Sequence, residues 1–353
     1  MDSGMINLST GPVQITAEVK QALISSPIPH RSKEFADLLE TTSEILTKEY
    51  KVKNCFLLTG SGTLANDVML HQVRSLGGKG LILANGEFGE RLIDQAARTG
   101  LNFTTSKLAW GEPFDLQETE QLIRDQSASW MIFTHCETST GVINDLNGLS
   151  IIAGKYKCRT YVDCMSTIGT RPIDLSMITM ATASSGKGLA SIPGIAIVLS
   201  NIDPVADPAT PSYFDLAQYL SKSGVPFTLS SNLLYSLKTS IRQKLTNQQY
   251  SLSEAYSQKI SALLSSAGFL RFNHNNTHVF TLVPSPDEYQ SLIETFGRAG
   301  LIVSYESEYL RKRKWIQLAL FNFYTERELM TVVDKLEELV MPAGRQKLLT
   351  NFL

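Results

Sequence analysis

Short apolar runs alternate with helical segments along most of the chain, and this alternation is the strongest constraint on its fold. The runs are apolar at consecutive positions, as strands are when both faces of a sheet are covered. Predicted strands occupy Cys55–Leu58, Leu81–Ala84, Trp130–Phe133, Thr160–Asp163, Ile178–Ala183 and Ile195–Leu199. Predicted helices between them cover Leu64–Val73, Glu90–Arg98 and Leu149–Tyr156. We therefore expect an α/β fold with a mostly parallel sheet, in which ligands bind at the carboxyl ends of the strands.

A second, smaller unit is expected near the carboxyl terminus. With 353 residues the chain is longer than one core usually supports. After a helical region at Leu233–Leu264, the pattern changes to that of a smaller α+β unit. Its predicted strands are His278–Val283, Leu301–Val303 and Trp315–Leu320, and its last helix begins at the capping box Thr325–Glu328. We predict a large domain at residues 15–250, and a small domain made of residues 251–353 together with residues 1–14.

Composition restricts the class of protein. Hydrophobic residues make up 43% of the chain, charged residues 19%, and the net charge is −2, which is typical of a soluble globular protein and argues against a nucleic-acid partner. No apolar run is long enough to predict a membrane span. The cysteines show no metal-ligand or CxxC spacing, so we interpret them as reduced thiols and expect a cytoplasmic location and no metal.

Lys187 stands out because small residues surround it in the run Ser184-Ser185-Gly186-Lys187-Gly188. A lysine held in a cleft can lose its proton and form a Schiff base with an aldehyde cofactor. The alternative is an ordinary surface charge, which is the commoner role of lysine. The other candidate residues decide between the two.

These other candidates follow predicted strands. Gly60–Thr63 would place glycines and a helix N-terminus next to an anion, or would be a plain strand–helix turn. Phe88 would stack on an aromatic ligand or lie in the core. The segment His135–Gly141 offers the hydroxyls of Thr138, Ser139 and Thr140, and Asp163 would face a protonated ring nitrogen or cap a helix.

Pyridoxal 5′-phosphate (PLP) requires this combination of an anion site, a stacking ring, an anionic partner for its pyridine nitrogen and an amine for its aldehyde. The sequence resembles class V aminotransferases of PLP fold type I, and within them 2-aminoethylphosphonate–pyruvate and alanine–glyoxylate (serine–pyruvate) aminotransferases. The matching stretches are Leu8–Pro12, His30–Phe35, Gly60–Thr63, Asn85–Arg91, His135–Gly141, Val162–Ser166 and Ser184–Lys187. The resemblance implies a seven-stranded, mostly parallel sheet in the large domain and a smaller C-terminal α+β domain.

The resemblance also implies roles for individual residues. Lys187 and Asp163 would be catalytic, the lysine binding the cofactor aldehyde and shuttling a proton, and the aspartate keeping the pyridine nitrogen protonated. Thr228, or Ser231 in second place, would complete the phosphate site of the other subunit in a homodimer with a shared active site. The remaining cofactor-binding residues would be Ser61, Gly62, Thr63, Phe88, Thr138, Ser139 and Ser184.

Two departures from the family's pattern concern ligand contacts. Gln317 stands where relatives place an arginine that grips the substrate carboxylate, and glutamine cannot form that charged, two-pronged contact. Arg311, Arg313 and Arg31 are candidates to replace it, and Gly11 is a further expected substrate contact. Gly186 stands where relatives place an amide side chain that contacts the phosphate.

Three functions therefore remain open at this point. The first is transfer of an amino group between an amine or amino acid, including an aminophosphonate-like one, and a keto acid or aldehyde. The second is a PLP-dependent lyase, decarboxylase or carbon–carbon bond-forming enzyme, which the missing arginine suggests. The third is a PLP-fold binding protein without catalysis, against which the presence of both Lys187 and Asp163 argues.

Overall fold

The computed structural model describes residues 5–270, 272 and 277–340. The strands are β1 Ile6–Asn7, β2 Asn54–Thr59, β3 Gly80–Ala84, β4 Phe103–Lys107, β5 Trp130–Thr134, β6 Cys136–Glu137, β7 Val142–Ile143, β8 Arg159–Asp163, β9 Met180–Ser184, β10 Ile195–Ser200, β11 Val279–Leu282, β12 Leu301–Ile302 and β13 Ile316–Ala319. The helices are α1 Ala17–Leu23, α2 Lys33–Tyr50, α3 Gly62–Leu76, α4 Glu87–Thr99, α5 Leu116–Asp125, α6 Leu146–Lys155, α7 Leu216–Ser221, α8 Ser231–Lys244, α9 Asn247–Ser266, α10 Tyr289–Arg298, α11 Glu308–Arg313 and α12 Glu326–Val340, with a 3₁₀ turn at Ser212–Phe214.

The main sheet confirms the α/β fold expected from the sequence. Within the described residues it has seven strands in the order β2-β10-β9-β8-β5-β3-β4. Strands β4, β3, β5, β8 and β9 pair in parallel, whereas β10 pairs antiparallel with both of its neighbours. Because β2 is antiparallel to β10, it runs in the same direction as the other five strands. The carboxyl ends of six strands therefore meet at one edge of the sheet, where the candidate site residues follow them.

Strand β4 is missing from the sequence-based prediction. Its sequence, Phe-Thr-Thr-Ser-Lys, is mostly polar, and each of its residues is exposed or half-buried. It lies at the sheet edge beside β3 and needs little apolar surface, so its sequence carries no hydrophobic run. The predicted helical region at Leu233–Leu264 is likewise two helices, α8 and α9, separated at Leu245 and Thr246.

A separate hydrophobic core lies beside the sheet. It joins α9, α10 and α12 to β11 and β13, and it includes Leu8 from the N-terminal segment. Strand β1 pairs in parallel with β12, which ties that segment to the C-terminal region. At the start of α12 the Thr325 and Glu328 side chains cap each other's backbone N–H groups, which confirms the capping box. The boundaries at residues 14/15 and 250/251 stay a prediction.

Candidate active site

Asp163 ends β8 and is buried, with 6% of its surface exposed. Its carboxylate accepts hydrogen bonds from the Asn66 side chain (2.8 Å) and from the Met165 backbone N–H (2.8 Å), and the Thr182 hydroxyl in turn donates to Asn66 Oδ1 (2.5 Å). Burial raises the pKa of Asp163, and both hydrogen bonds oppose that shift. The helix-capping alternative is wrong, because the described chain continues from Asp163 into turns and then β9. A fixed, buried carboxylate with two neutral donors is suited to a cationic partner.

Lys187 follows β9 in a tight turn and is half-buried. Its Nζ lies 3.4 Å from Ser166 Oγ and 5.3 Å from the centre of the Phe88 ring. Burial lowers the pKa of Lys187, while the nearby Asp163 charge acts in the opposite direction. A lysine amine with a lowered pKa is a better nucleophile and base near neutral pH than a solvated one.

Phe88 lies in the first turn of α4, and Glu137 of the neighbouring strand β6 fixes that turn. The buried Glu137 carboxylate accepts hydrogen bonds from the backbone N–H groups of Phe88 (3.1 Å) and Gly89 (2.9 Å). It also accepts the Ser139 hydroxyl (2.6 Å). An acid at a helix N-terminus is electrostatically favourable, and here it holds the Phe88 backbone next to Lys187.

The start of α3 has the geometry expected of the predicted anion site, which stays a prediction. Ser61 is the N-cap residue, but its side chain makes no capping hydrogen bond, so the first-turn N–H groups remain available. A cavity of about 200 Å³ is lined by Gly60, Ser61 and Gly62 together with Ser184, Gly186 and Lys187. A Cβ on Gly62 would lie 2.5 Å from Met165 Sδ, so glycine is needed for α3 to approach the loop after β8. Thr63 is exposed on the same turn.

The hydroxyl cluster divides into two roles. Thr138 Oγ1 lies 2.5 Å from Ser166 Oγ, and so Thr138, Ser166 and the Lys187 amine form a chain of contacts. Ser139 instead bonds Glu137 and accepts the Glu87 backbone N–H at 3.1 Å, so it supports α4. The structure thus brings Thr138 to the lysine and places Ser139 behind the Phe88 turn.

Gln317 lies in β13 and is fully buried. Its amide nitrogen donates to Thr138 O (2.6 Å) and Thr281 Oγ1 (2.8 Å), and its oxygen accepts the Tyr309 hydroxyl (2.7 Å). Burial raises the pKa of Tyr309, which keeps that hydroxyl protonated as the donor. Both ends of the Gln317 amide therefore have protein partners, and the side chain links β13 to the loop that carries Thr138.

Three arginines are the candidates to replace the missing carboxylate-binding arginine, and none of them is shown in contact with Lys187. The Arg313 guanidinium carbon lies 3.8 Å from the Trp110 ring centre and 5.0 Å from that of Trp315. Arg311 and Arg31 are exposed. Gly11 lies over the lysine: with φ at +121°, a Cβ there would be 3.7 Å from Lys187 Cγ. Thus Gly11 is brought to the site, whereas the structure shows no contact from the three arginines to Lys187.

Arg91, one turn after Phe88 in α4, is a cation that sequence reasoning did not assign to the substrate. Its guanidinium carbon lies 4.7 Å from the Phe88 ring centre. Burial is the main cause of the pKa shifts of Lys187 (lowered) and Asp163 (raised); the Arg91 charge adds to the first shift and opposes the second. Its ion pair with Glu87 is long, at 3.4 Å, and solvent-exposed. Arg91 therefore adds positive charge beside the lysine.

Thr228 and Ser231 lie before and at the start of α8, and neither is among the residues that line the α3 cavity of their own chain. Thr228 is exposed, while Ser231 is buried and its hydroxyl accepts the Ile28 backbone N–H at 3.1 Å. The Ser231 hydroxyl therefore already has a hydrogen-bond partner in its own chain, whereas the exposed Thr228 side chain can contact another molecule.

The residues present fit PLP. The N-terminus of α3 has no acidic residue in its first turn and lies next to Ser184, which suits a phosphate. The Asp163 carboxylate accepts hydrogen bonds from neutral donors only, so it can take a cationic ring nitrogen as a further partner. The Lys187 amine lies beside the Phe88 ring, where a cofactor aldehyde and ring would be bound. All of these features lie at the edge of the sheet where the carboxyl ends of the parallel strands meet. Sequence reasoning missed Asn66, Ser166 and Glu137, although the last two belong to motifs it had already quoted.

The chain belongs to the class V aminotransferase family, whose model (Aminotransferase class-V) matches residues 15–208. It is 25% identical over 371 aligned positions to the soluble hydrogenase 42 kDa subunit of Anabaena cylindrica, covering 98% of this chain and 96% of that protein. It is 30% identical to the 2-aminoethylphosphonate–pyruvate transaminase of Pseudomonas fluorescens (strain Pf0-1) over 62% of each chain. The fold matches an aspartate aminotransferase of subgroup IV from Thermus thermophilus with a TM-score of 0.86 and 21% identity, covering 95% and 99% of the two chains. The expected family and PLP fold type I are confirmed, and the protein is a PLP-dependent aminotransferase.

Proposed function

We propose that the protein transfers an amino group from a small amine or amino acid to a keto acid or aldehyde in two half-reactions, with Lys187 and Asp163 as catalytic residues. The observation that carries this proposal is the convergence of Lys187, Phe88, Asp163 and the α3 N-terminus on one edge of the sheet. Homologues named as transaminases support transfer over the lyase-type alternatives.

Bound PLP supplies an electron-withdrawing ring and a reactive carbonyl. The chain supplies the rest. The Lys187 amine, with its lowered pKa, takes and returns the substrate proton, and Ser166 and Thr138 orient that amine. Asn66 and the Met165 N–H hold the Asp163 carboxylate in place to keep a proton on the ring nitrogen. Phe88 would stack on the ring of bound PLP, and Ser61, Gly62, Thr63 and Ser184 would hold its phosphate.

Nitrogen transfer tests the proposal directly. The holoenzyme is incubated with a ¹⁵N-labelled donor and an unlabelled keto acid, and the new amino acid is analysed by mass spectrometry. We expect the label in the acceptor product in proportion to donor consumed. Consumption of the donor without label in the acceptor product would contradict the proposal: release of labelled ammonia would identify a lyase, and release of carbon dioxide with a labelled amine would identify a decarboxylase.

We infer that an anionic group of the substrate is bound by Arg91 and not at the position of Gln317. Arg91 provides positive charge beside Phe88 and Lys187, whereas the Gln317 amide is saturated by Thr138, Thr281 and Tyr309. Arginine matches carboxylate and phosphonate oxygens equally well, so both amino acids and aminophosphonates fit this proposal. Gly11, which lies over Lys187, would contact the substrate backbone.

A homodimer with a shared active site is also part of the proposal, with Thr228 entering the phosphate site of the other subunit. Its support is the exposure of Thr228 on the loop before α8. Mixing tests it: inactive Lys187→Ala subunits are combined with Thr228→Asp subunits, whose acid would repel the cofactor phosphate. Mixed dimers should regain activity in one of their two sites, and a mixture no more active than its components would contradict sharing.

None of the helices in the described part of the chain is both long and apolar enough to cross a bilayer. We propose a reducing, cytoplasmic environment, supported by four cysteines that are all free thiols in the structure. Cell fractionation with activity measurement tests this, and activity confined to a secreted fraction would contradict it.

A further inference from the structure

A second polar cavity lies beside β5, outside the PLP site. It has a volume of about 310 Å³, and its lining includes His135, Arg171, Asn147 and the start of α6. His135 directly follows β5, and its backbone N–H bonds Asp163 O at 2.9 Å. One lining residue of the cavity, His135, is therefore hydrogen-bonded through its backbone to Asp163, the last residue of β8.

Two basic side chains of the cavity lining, His135 and Arg171, have nitrogens without a hydrogen-bond partner in the described part of the chain, and so does the buried His278 outside the lining. His135 is 6% exposed and its Nδ1 has no hydrogen-bond partner among the described residues, and neither ring nitrogen of the buried His278 has one there. Arg171 is half-buried and forms no hydrogen bond or ion pair in that same part of the chain. Buried donors of this kind normally have a partner, and leaving one unpaired costs about 1–3 kcal/mol.

The Arg171 charge acts on both imidazoles. Burial is the main cause that lowers the pKa of His135 and of His278, each to about 3, and the Arg171 charge is the second cause at both rings. Both rings are thus neutral in the absence of a bound anion, and each neutral ring still offers one N–H donor. The buried Lys244 amine, whose pKa burial lowers to about 7, adds to the positive field at His278.

Two carboxylates, those of Asp145 and Asp174, also line the cavity, and both already have partners. Asp145 Oδ1 caps the Gly148 N–H of α6 at 2.9 Å, and Asp174 pairs with Lys51 at 2.7 Å. Glu254, which also acts on Arg171, is exposed on α9. The start of α6 is thus already capped by the Asp145 carboxylate, so Arg171 and His135 are the basic groups of the lining that still lack an acceptor among the described residues.

We propose that this cavity is a binding site for a small oxyanion, a phosphate or carboxylate group, held by Arg171 and His135. Such an anion supplies the acceptors that the guanidinium and the imidazole lack. Its charge lies beside the strand that ends in Asp163, and the site is separate from the cofactor phosphate site at α3.

Calorimetric titration of the PLP-loaded enzyme with inorganic phosphate, and separately with acetate at matched ionic strength, tests the proposal. We expect saturable binding of at least one probe, and the tighter of the two identifies the oxyanion class. Arg171→Gln should weaken that binding about tenfold or more, the loss of one charged hydrogen bond. The control Arg159→Gln, at an exposed arginine on β8, should bind as wild type does.

Equal affinity in the wild type and Arg171→Gln would overturn the proposal, because the anion would then be held elsewhere, including in the active site. Absence of any binding heat from wild type with either probe would also overturn it. Should Arg171→Gln not fold, crystals of the wild-type holoenzyme soaked in selenate decide the matter: an anomalous peak between Arg171 and His135 supports the site, and density for water alone refutes it.

Discussion

The floor of the active site and its wall differ in how their polar residues are used. The floor consists of Asp163, Lys187, Phe88 and the α3 start, all at strand ends of the main sheet, and it leaves a carboxylate, an amine and helix N–H groups directed at a ligand. The wall consists of Gln317, Tyr309, Arg313 and Trp110. Its polar groups bond or stack with one another. The floor leaves polar groups free for the cofactor, whereas the polar groups of the wall already bind one another; this difference is why we propose Arg91 for the substrate's charge.

The largest expected effect is at the floor. Replacing Lys187 by Ala removes both the amine that binds the cofactor aldehyde and the proton shuttle, so we expect amino transfer to fall by about 10⁴-fold, the upper end for loss of a general acid–base group. The visible absorption band of the lysine-bound cofactor should disappear as well. Lys222→Ala, at an exposed lysine, is the control, and a Lys187→Ala enzyme with normal turnover would refute the assignment.

Asp163→Asn should lower turnover by about 10²-fold or more and yet stabilise the cofactor-free protein at neutral pH. Because burial raises the folded-state pKa of Asp163, its carboxylate weakens the apoprotein once the pH rises through that pKa. The gain in melting temperature should therefore shrink as the pH falls and vanish below the ordinary Asp pKa of about 4. A variant less stable than wild type at pH 7 in the absence of PLP would show that the carboxylate is compensated without a cationic ligand.

At the wall, Gln317→Ala should lower the free energy of unfolding by about 2–4 kcal/mol, because it leaves Thr138 O, Thr281 Oγ1 and the Tyr309 hydroxyl unpaired. Gln317→Arg should also destabilise, since it buries a charge without a carboxylate partner. Urea unfolding measures both, with exposed Gln290→Ala as control. Improved use of simple amino acids by a stable Gln317→Arg enzyme would mean that the wall is a substrate contact after all.

The smallest expected effect concerns Arg91. Arg91→Gln should raise KM for carboxylate or phosphonate donors about tenfold, the loss of one charged hydrogen bond, and leave KM for an uncharged amine unchanged. Arg98→Gln, an exposed position on the same helix, serves as control. An equal rise of KM for charged and uncharged donors would assign Arg91 to α4 stability alone.

The floor was predictable because it depends on chain order. Apolar runs fix the parallel strands, and parallel strands align their carboxyl ends. Asp163 ends one such strand, Gly60–Thr63 follows another, and Phe88 lies in the helix that follows a third. Even there, the support by Asn66 and Glu137 was not visible, since these contacts join residues far apart in sequence.

The wall could not be predicted in the same way. The Gln317 amide meets Thr138 O across 179 positions of sequence, and the Arg313 guanidinium stacks on Trp110 from another element. Whether a polar side chain faces a ligand or a neighbouring residue depends on such packing, and no local pattern encodes it. The alignment placed Gln317 beside the site, but only its three hydrogen bonds show that the amide is already in use.

The measurement that tests the central claim most directly is a single-turnover absorption experiment. PLP-loaded enzyme is mixed with an excess of amine donor in the absence of any acceptor, and the visible spectrum is followed. Our account predicts complete loss of the lysine-bound cofactor band as the amino group stays on the enzyme, and its full return when a keto acid is added. A band that persists while the donor is consumed, or one that is lost and not restored by any keto acid or aldehyde, would contradict amino transfer at Lys187.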